Sequence, residues 1–511
     1  MSEPARGSDR RRSGEGDRER TERAGLGDDV EVIVVSNRQP YRHRWGDDGI
    51  EVDRPTGGLT AGLDDVVRRI DGSWIAWGDG DADAEVVDDD DRVSVPPEAS
   101  DGYPLRRVWL TGEQVDGYYY GFSNRVLWPV CHGTLSRVRS EGGYWDAYRS
   151  VNERFADAAA DRADREDVIW LQDYHLGLVP QLLASRVPES VLVAHFWHIP
   201  WPDWDTFRAC PHGAELLRGL VGNDLFVVHT ERYRQHFFNC VEAALPRATV
   251  DRSAGRVFHR DGVTTVEAHP LGVDTERIPE LSTDDGADER WRRLRAQYDI
   301  DEDVSVGVGV DRLDYTKGIP ERIAAIERLL ETRPEWQGEF TFVQIGSESR
   351  SRIPAYREVQ TEVVEAVNRV NARFRTDDWR PVVYTTDRLA DRELYTLYRN
   401  ADLGVVSPVR DGMNLVAQEY VAAQADGDGV LVLSRQAGVH DLVGDDAVSI
   451  TPQAPDEFAA ALADALAMSD RERRVRMASL LDSCRAFDID RWIDDVLGGV
   501  ARLREDGGAG R

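Results

Sequence analysis

Short apolar runs rich in β-branched residues alternate with longer helical patterns along most of this chain. Apolar strands separated by helices are buried on both faces, which is typical of parallel sheets in α/β folds. A chain of 511 residues is too long for one hydrophobic core, and the runs are too many for one sheet. We therefore predict an α/β protein with two Rossmann-like, doubly wound domains that face a central cleft. The candidate strands are residues 30–36, 167–172, 190–198, 224–230, 304–310, 339–346, 381–386, 402–407 and 429–434.

One stretch divides the chain into two parts. Residues 270–290 read PLGVDTERIPELSTDDGADER, an acidic segment between a strand pattern and the helical pattern of WRRLRAQY. Such a break is typical of a link between domains. We predict a disordered tail at 1–28, an N-terminal domain at 29–272, a C-terminal domain at 273–485, and a helix at 486–505 that crosses back to the N-terminal domain.

The charge balance excludes several kinds of partner. The chain has 94 acidic and 63 basic residues and a net charge of −31, so attraction to nucleic acid or to an anionic membrane is not expected. Lys317 is the single lysine, and Arg supplies all other basic residues. Acid enrichment with lysine depletion resembles proteins of organisms that keep high salt inside their cells, where salt screens self-repulsion. GC-rich coding would also favour Arg, and composition does not separate the two causes.

Several sequence patterns argue for an ordinary intracellular protein without a metal centre. The charged N-terminal tail has no apolar segment, and no apolar run is long enough for a membrane helix, so we expect a soluble cytoplasmic protein. The patterns DGDAD (79–83) and DDDD (88–91) are interpreted as a solvated acidic loop. The cysteines form no CxxC pair and are interpreted as small core residues; they are Cys131, Cys210, Cys240 and Cys484.

Polar side chains follow six of the predicted strands. The carboxyl ends of parallel strands meet at one edge of a sheet, and two such edges can face each other across a cleft. Any one of these segments could be a surface turn, but together they indicate a site. The segments are Asn37–Pro40, Asp173–His175, His198–Pro200, Asp311–Arg312, Ser347–Arg350 and Arg410–Gly412.

The charged residues of these segments indicate a nucleotide sugar. Arg312 and Lys317 flank an expected strand-to-helix turn, where a planar fork beside a compact charge suits a diphosphate. The amides that begin a helix after Gly412 attract further phosphate charge. Asp411 would repel phosphate there and is better explained as an acceptor for sugar hydroxyls. Glu419, two turns further on, can accept from ribose hydroxyls.

Arg38 and Arg350 indicate a second phosphorylated ligand, because they are the remaining strand-end arginines and neither belongs to the first cluster. Trp77, Tyr119 and Trp128 could offer flat faces to a sugar ring and a phenolic donor to phosphate. Packing in the core is an equal alternative for each aromatic residue.

Two glycine-containing segments were also considered. PTGGLTAG at 55–62 leads into a helix, and the missing Cβ atoms let a backbone approach a ligand closely. An ordinary turn is the equal alternative. GVG at 307–309 lacks the third Gly of a dinucleotide fingerprint and gives no indication of NAD.

Seven motifs, in this order and spacing, resemble the trehalose-6-phosphate synthase family over residues 31–500. They are SNRQP (36–40), PTGGLTAG (55–62), YYYGFSNRVLWP (118–129), WLQDYHLGLVP (170–180), HFWHIPWP (195–202), DRLDYTKGIPER (311–322) and PVRDGMNLVAQEYVAAQ (408–424). The resemblance implies a GT-B fold and a retaining glycosyltransferase. Such an enzyme transfers glucose from a nucleotide diphosphate glucose to glucose 6-phosphate, forming α,α-trehalose 6-phosphate without a metal ion or cofactor.

The resemblance also implies a role for each matching residue. Residues beside the reaction would be Arg312, Lys317, Asp411 and His198. The donor would be held by Gly58, Arg312, Lys317, Asp411, Gly412, Met413, Asn414, Leu415, Val416 and Glu419. The acceptor would be held by Arg38, Trp77, Tyr119, Trp128, Asp173 and Arg350, with Arg38, Tyr119 and Arg350 on its phosphate. Implied partners are UDP-glucose or another NDP-glucose, glucose 6-phosphate, a separate trehalose-6-phosphate phosphatase, and a homo-oligomer as one open outcome.

The sequence departs from the family pattern at two places and leaves alternatives open. Gln172 stands where relatives often carry His, and WPVCH at 128–132 replaces an aromatic-His pair. The alternative functions are a glucosylglycerol-phosphate synthase and a noncatalytic sugar-phosphate sensor. No residue identified reads the donor base. Retention would need either a carboxylate nucleophile or, as the resemblance implies, front-face substitution assisted by the leaving diphosphate.

Overall fold

The computed structural model describes residues 30–54, 58–70, 72–97, 99, 102–260, 262–424 and 427–507. The predicted tail at 1–28 and loop residues 55–57 lie outside these ranges. The large sheets are built from residues before 269 and after 304. The predicted boundary at 272/273 falls between the two sheets, and the division into domains stays a prediction.

The strands form two large sheets and one hairpin. In chain order they are β1 (Val32–Ser36), β2 (Arg42–Gly46), β3 (Gly49–Asp53), β4 (Ser73–Trp77), β5 (Arg92–Val95), β6 (Tyr103–Val108), β7 (Val168–Gln172), β8 (Leu192–Trp197), β9 (Leu225–Val228), β10 (Thr249–Asp251), β11 (Arg256–His259), β12 (Gly262–Ala268), β13 (Ser305–Arg312), β14 (Phe340–Ser347), β15 (Val382–Thr385), β16 (Leu403–Val406), β17 (Val430–Ser434) and β18 (Val448–Ile450). The first sheet has the order β10-β11-β12-β9-β8-β7-β1-β4-β6-β5, and the second has β15-β14-β13-β16-β17-β18. Among the described strands, β2 and β3 pair only with each other.

The helices separate most of these strands. They are α1 (Gly58–Arg69), α2 (Gly112–Gln114), α3 (Trp128–Cys131), α4 (Tyr144–Arg162), α5 (Val179–Leu183), α6 (Trp204–Phe207), α7 (Gly213–Leu220), α8 (Glu231–Ala244), α9 (Arg277–Ser282), α10 (Ala287–Tyr298), α11 (Ile319–Thr332), α12 (Pro354–Phe374), α13 (Asp391–Asn400), α14 (Leu415–Ala423), α15 (His440–Val443), α16 (Pro455–Leu466), α17 (Asp470–Ala486) and α18 (Ile489–Glu505). A π-helix spans Val115–Leu127, and short 3-10 turns are formed by Asp83–Glu85, Leu135–Arg137, Tyr174–Leu176 and Pro334–Trp336.

Both large sheets are buried on two faces, which explains their continuous apolar strands. In the first sheet, Val168 and Trp170 of β7 enter one core, while the alternate residues of the strand enter the core on the opposite face. In the second sheet, Val432 and Leu433 of β17 likewise point into different cores. Burying such side chains contributes about 1.5–3 kcal/mol each. The predicted α/β class with two doubly wound sheets is confirmed.

Each of the nine predicted strands overlaps a strand of the structure, but other strands were missed. The hairpin β2–β3 is largely polar, and β6 carries Arg106 and the fully buried Arg107. Neither shows the apolar run that the prediction relied on. The expectation of purely parallel sheets was also wrong at the edges, because β5–β6 and β10–β11–β12 pair antiparallel. Edge strands face fewer neighbours, so their sequences carry a weaker apolar signal.

The acidic segment at 79–91 is not the solvated loop that was predicted. The carboxylate of Asp83 is fully buried and accepts hydrogen bonds from the Gly80 amide at 2.8 Å and the Gln39 side chain at 2.6 Å. Asp79 accepts from Arg42 Nε at 2.8 Å. The prediction failed because the partners lie about 40 residues away in sequence. Around Asp88–Asp90 the side chains are exposed, as expected.

The C-terminal helix α18 packs against the first sheet, on the face opposite the π-helix. Trp492 lies 5.2 Å from Trp170 of β7 and 5.1 Å from Phe196 of β8, measured between ring centres. At its start, the Ile489 amide donates to the Val273 carbonyl at 3.2 Å. The segment therefore returns from the second sheet to the first, beside the segment that left it.

No helix in the described part of the chain has the length and apolar character of a membrane span. The four cysteines are buried free thiols, as the sequence indicated. Burial also raises the pKa of the Cys484 thiol to about 12. These side chains therefore act as small core residues.

Candidate active site

The carboxyl ends of the two sheets meet, and side chains bond directly between them. Arg350, in the loop after β14, donates from Nη2 to the hydroxyl of Tyr174, in the loop after β7, at 3.1 Å. Tyr233 of α8 donates its hydroxyl to the Asp411 carbonyl at 2.9 Å. These contacts connect polar strand-end segments of the two halves of the chain. The expected juxtaposition of strand ends is therefore present.

Trp128 lies against two guanidinium groups. The Cζ atoms of Arg350 and Arg312 are 4.1 and 5.7 Å from its ring centre. Arg350 also donates from Nη1 to the hydroxyl of Tyr356 at 2.7 Å and lies 3.4 Å from Asp314 Oδ2. A cation over an indole face is stabilised by the ring quadrupole, more so when water is excluded. The site thus holds two closely placed cations with one buried carboxylate, an arrangement suited to a strongly anionic ligand.

Tyr119 connects the aromatic residues with the arginines. Its ring lies 5.8 Å from Trp77 and stacks on His175 at 5.8 Å. Burial alone would raise the pKa of the Tyr119 hydroxyl, but the charges of Arg350 and Arg38 and their hydrogen bonds outweigh it and lower the pKa to about 8. The residues that were predicted to hold the acceptor therefore converge. Asp173, the remaining member of this set, is described next.

Asp173 lies at the end of β7 in a strained backbone conformation. Its φ of 70° is rare for a residue with a side chain, and its carboxylate accepts from the Tyr174 amide at 2.9 Å. Burial raises the pKa of Asp173 to about 6, although hydrogen bonds and the charges of Arg350 and Arg38 act in the opposite direction. Arg350 and Asn414 also have positive φ values, of 50° and 87°. Such conformations cluster at functional sites, and three of them occur here.

Lys317 and Asp411 form an ion pair at the start of α14. Lys317 Nζ donates to Asp411 Oδ2 at 2.5 Å, and Asn414 Nδ2 donates to the same oxygen at 3.0 Å. Burial would raise the pKa of Asp411, but the charge and hydrogen bond of Lys317 outweigh it and lower the pKa to about 2. The carboxylate is therefore charged at every physiological pH. The single lysine of the chain sits beside the turn that was predicted to meet a sugar and its phosphates.

The turn that contains Gly412 is shaped by contact between the two halves of the chain. A Cβ atom at Gly412 would collide with the carbonyl oxygen of His198. The turn then enters α14, where Asn414 Oδ1 caps the helix by accepting from the Ala417 amide at 3.3 Å. Gly is required for this close approach, a reason that sequence analysis did not foresee. Among the other predicted donor residues, Met413 is buried, and the side chains of Leu415 and Val416 are half-buried.

His198, after β8, is held as a neutral imidazole. Burial lowers its pKa well below the ordinary value, and the neighbouring His229 and His195 add to the shift. Its Nε2 lies 2.8 Å from Oε1 of Gln172, and its carbonyl lies 3.1 Å from Nε2 of His229. Gln172, noted above as a departure from the family pattern, thus contacts a predicted site residue.

Glu419 lines a cavity of about 120 Å³ between α14, α13 and the start of α18. Burial, with a smaller contribution from the charge of Asp391, raises the pKa of Glu419 to about 7. Arg277, Tyr395 and Ile489 contribute to the walls. The cavity opens beside α1, whose first residue is Gly58. A carboxylate in a crevice of this kind suits a hydroxyl-rich ligand.

His175 lies in a strand-end segment that was predicted to form the site, but sequence analysis assigned it no role. Its imidazole is buried and stacks on Tyr119, and its Nδ1 is 3.9 Å from Asp173 Oδ2. Among the residues that the structure describes, neither ring nitrogen has a hydrogen-bond partner. Burial and the charges of Arg350 and Arg38 hold the pKa of His175 well below its ordinary range. Its place in DYH, directly after a strand, was the available signal. In the described part of the chain, no cluster of three or more His, Cys, Asp or Glu side chains could hold a metal ion.

Two parallel α/β sheets whose carboxyl edges face each other, with cations at both edges, define the GT-B class of glycosyltransferases. The profile of Glycosyltransferase family 20 matches residues 30–502. The chain belongs to this family.

Named relatives agree with this assignment. The UDP-forming alpha,alpha-trehalose-phosphate synthase 1 of Aspergillus fumigatus is 33% identical over 456 residues, which cover 88% of this chain and 86% of that protein. The bifunctional trehalose-6-phosphate synthase/phosphatase of Thermoproteus tenax is 34% identical over 92% of this chain, but the match spans only 63% of its length.

Solved structures give the same fold. The trehalose-6-phosphate protein of E. coli bound with UDP-2-fluoro glucose superposes with a TM-score of 0.81 at 32% identity, covering 92% of this chain and 99% of that chain. The UDP-forming alpha,alpha-trehalose-phosphate synthase of Burkholderia xenovorans in complex with glucose-6-phosphate also has a TM-score of 0.81, at 30% identity, covering 94% of this chain and all of that one. The predicted GT-B fold is confirmed.

Proposed function

We propose that this enzyme transfers glucose from UDP-glucose to glucose 6-phosphate with retention, forming α,α-trehalose 6-phosphate. The observation that carries the proposal is the presence of two anion sites at facing strand ends. One contains Arg38, Arg350 and Tyr119, and the other contains Lys317 beside the first turn of α14. Solved relatives bound with UDP-2-fluoro glucose and with glucose-6-phosphate support the two ligands. Neither glucosylglycerol phosphate synthesis nor a sensor role finds support among the relatives named above.

The site residues suit a reaction driven by orientation and charge stabilisation. In the free enzyme Lys317 forms an ion pair with Asp411. An incoming diphosphate offers Lys317 a second anionic partner, which leaves the carboxylate oxygens of Asp411 available to sugar hydroxyls. Arg312 adds a planar donor fork, which stabilises charge as the diphosphate departs. His198 remains neutral and can exchange hydrogen bonds with the transferred glucose without adding charge. We propose front-face substitution, in which the leaving diphosphate accepts the proton of the attacking hydroxyl.

Turnover with defined donors tests the proposal. UDP-, GDP- and ADP-glucose are each offered with glucose 6-phosphate, and trehalose 6-phosphate is measured by mass spectrometry and by enzymatic dephosphorylation to trehalose. We expect product with UDP-glucose, because the relatives that share this fold are named as UDP-forming. No product from any donor, despite measurable binding of glucose 6-phosphate, would support another acceptor or a sensor instead.

The two ligands are expected to show opposite pH dependence. Below about pH 7 Glu419 becomes protonated, given its raised pKa of about 7, so KM for UDP-glucose should rise. Above about pH 8 Tyr119 loses its proton, given its pKa of about 8, and can no longer donate to phosphate, so KM for glucose 6-phosphate should rise. Steady-state kinetics with each substrate varied at a series of pH values measures both. Glu419→Gln should abolish the acid limb alone and Tyr119→Phe the alkaline limb alone; loss of both limbs in either variant would contradict the assignment.

We also propose several further properties of the enzyme. The enzyme is inferred to need no metal ion or cofactor, to act in the cytoplasm, and to work alongside a separate trehalose-6-phosphate phosphatase. Adaptation to high salt is proposed as one of two causes of the net charge of −31 and the single lysine, the other being GC-rich coding. Turnover measured with and without a chelator and over a range of KCl concentrations, together with light scattering for a homo-oligomer, tests these properties.

A further inference from the structure

The loop that carries Arg38 is fixed on both sides of that residue. Ser36 accepts from Trp74 Nε1 at 2.8 Å and donates to the Arg38 carbonyl at 2.5 Å. Asn37 Oδ1 accepts from the Tyr118 hydroxyl at 2.9 Å. The backbone of Arg38 is therefore tied to the sheet from its N-terminal side. What holds the C-terminal side is Gln39, the next residue.

Gln39 is fully buried, and its amide is bonded only to charged side chains. Its Nε2 donates to Asp83 Oδ2 at 2.6 Å and to Asp79 Oδ1 at 2.7 Å, while its Oε1 accepts from Arg107 Nε at 3.1 Å. Each polar atom of the amide is thus bonded, and the acceptor and donor ends cannot be exchanged without losing these bonds. Gln39 is held in one orientation.

Asp83 and Arg107 form a buried ion pair behind Gln39. Asp83 Oδ1 lies 3.0 Å from Arg107 Nη2, and both side chains are inaccessible to solvent. Asp83 also accepts from the His43 amide at 2.8 Å, and its carbonyl accepts from Arg107 Nη1 at 2.8 Å. Burial would raise the pKa of Asp83, but hydrogen bonds from His43 and Gln39 and the charge of Arg107 lower it to about 2. The carboxylate therefore stays charged.

The same ion pair lies next to a second residue of the acceptor site. Arg107 of β6 pairs in the sheet with Ala76 of β4, and the next pair is Val108 with Trp77. Trp77 in turn contacts Tyr119, whose hydroxyl is bonded by Arg38. The network thus adjoins the loop of Arg38 and lies one strand position from the pair that contains Trp77.

Stability alone gives little reason for such a network. Burying an ion pair costs desolvation that its attraction often does not exceed, and apolar replacements are frequently as stable. A fully bonded polar network does, however, fix one arrangement of the groups attached to it. Here the attached group is the loop of Arg38.

We propose that Gln39, Asp83 and Arg107 are positioning residues that set the geometry of Arg38 for the phosphate of glucose 6-phosphate. Asp79 and Asp83 of the acidic segment then serve acceptor recognition rather than solubility. This inference rests on the proposed function and deepens it. None of the three side chains is placed in contact with a ligand; they act through Arg38 and its neighbours.

Asp83→Asn tests the inference in a double-mutant cycle with Arg38→Ala. Asp83→Asn should raise KM for glucose 6-phosphate about tenfold, the scale of a misplaced binding group, and change KM for UDP-glucose less than about twofold. In the Arg38→Ala background the same substitution should have little further effect on KM for glucose 6-phosphate, because the group it positions is gone. Full additivity of the two substitutions would overturn the proposal.

A second variant and a control separate positioning from folding. Gln39→Met keeps the Asp83–Arg107 pair and should also raise KM for glucose 6-phosphate selectively, so the test does not depend on Asp83→Asn folding. Asp161→Asn removes the exposed partner of Arg106, the neighbour of Arg107 on β6, and should leave both KM values unchanged. Equal loss of affinity for both substrates in Gln39→Met would mean a purely structural role. A wild-type enzyme that binds no glucose 6-phosphate would instead refute the proposed function itself.

Discussion

Lys317→Ala is expected to lower turnover at least about 100-fold, the loss typical of a preorganised group that stabilises developing charge. Lys317 is the single lysine of the chain and lies 2.5 Å from Asp411 at the start of α14. Without it, the departing diphosphate loses a compact positive charge, and Asp411 is left as an unpaired anion beside it. Both changes destabilise the transition state. Initial rates at saturating UDP-glucose and glucose 6-phosphate measure the effect.

Two comparisons show whether the loss is local. Binding of glucose 6-phosphate to Lys317→Ala should be nearly normal, because the arginines of the acceptor site are unchanged. Arg369→Ala removes a surface cation of α12 that pairs with Glu327, and turnover should not change. Near-normal turnover in Lys317→Ala would remove the lysine from the mechanism.

Arg350→Ala is expected to raise KM for glucose 6-phosphate at least about 30-fold. Truncating one member of a desolvated charge pair costs about 2–5 kcal/mol, which corresponds to roughly 30-fold or more in affinity. Arg350 is buried, lies on the Trp128 ring, and bonds Tyr174 and Tyr356. Arg350→Lys should recover little, because an ammonium cannot reproduce the planar fork. Titration of the free enzyme with glucose 6-phosphate measures the affinity directly.

Arg352→Ala is the matched control for this variant. It lies two residues further along the same loop, but its side chain is 68% exposed and pairs with the exposed Asp116 at 3.3 Å. Exposed pairs of this kind contribute little, so its KM for glucose 6-phosphate should be that of the wild type. If Arg350→Ala and Arg352→Ala weakened binding equally, a general loss of positive charge would explain the result, and Arg350 would have no specific role.

The main strands and much of the site were predictable because their signals are local. A run such as DLFVVHT (224–230) is apolar on both faces, so its burial follows from the side chains themselves. The polar residues that end such strands could then be placed at one edge. Arg350 was found in this way, whereas Trp128 and Tyr119 were proposed from their aromatic faces and from the family resemblance.

Features that depend on distant partners were not predictable from local patterns. In the sequence, Asp83 is not distinguishable from the other acidic residues of its loop. Its contacts with Gln39 and Arg107 arise only in the folded chain. Likewise, the Gly in RDGMN was explained by a ligand, whereas the structure adds a collision with the His198 carbonyl. His175 was given no role because the sequence does not distinguish a buried imidazole of the core from one of a binding site.

The chain passes between the two sheets twice, and the two passages touch. The Ile489 amide bonds the Val273 carbonyl at 3.2 Å, and Gly272 lies so close to Phe487 that a side chain there would collide with its carbonyl oxygen. The two connections, at residues 272–273 and 487–489, run side by side and can act as a single hinge with one axis. The two halves can rotate about that axis, but sliding of one past the other would have to break the contact. An opening of the cleft that keeps this contact would therefore pivot about residues 272–273 and 487–489.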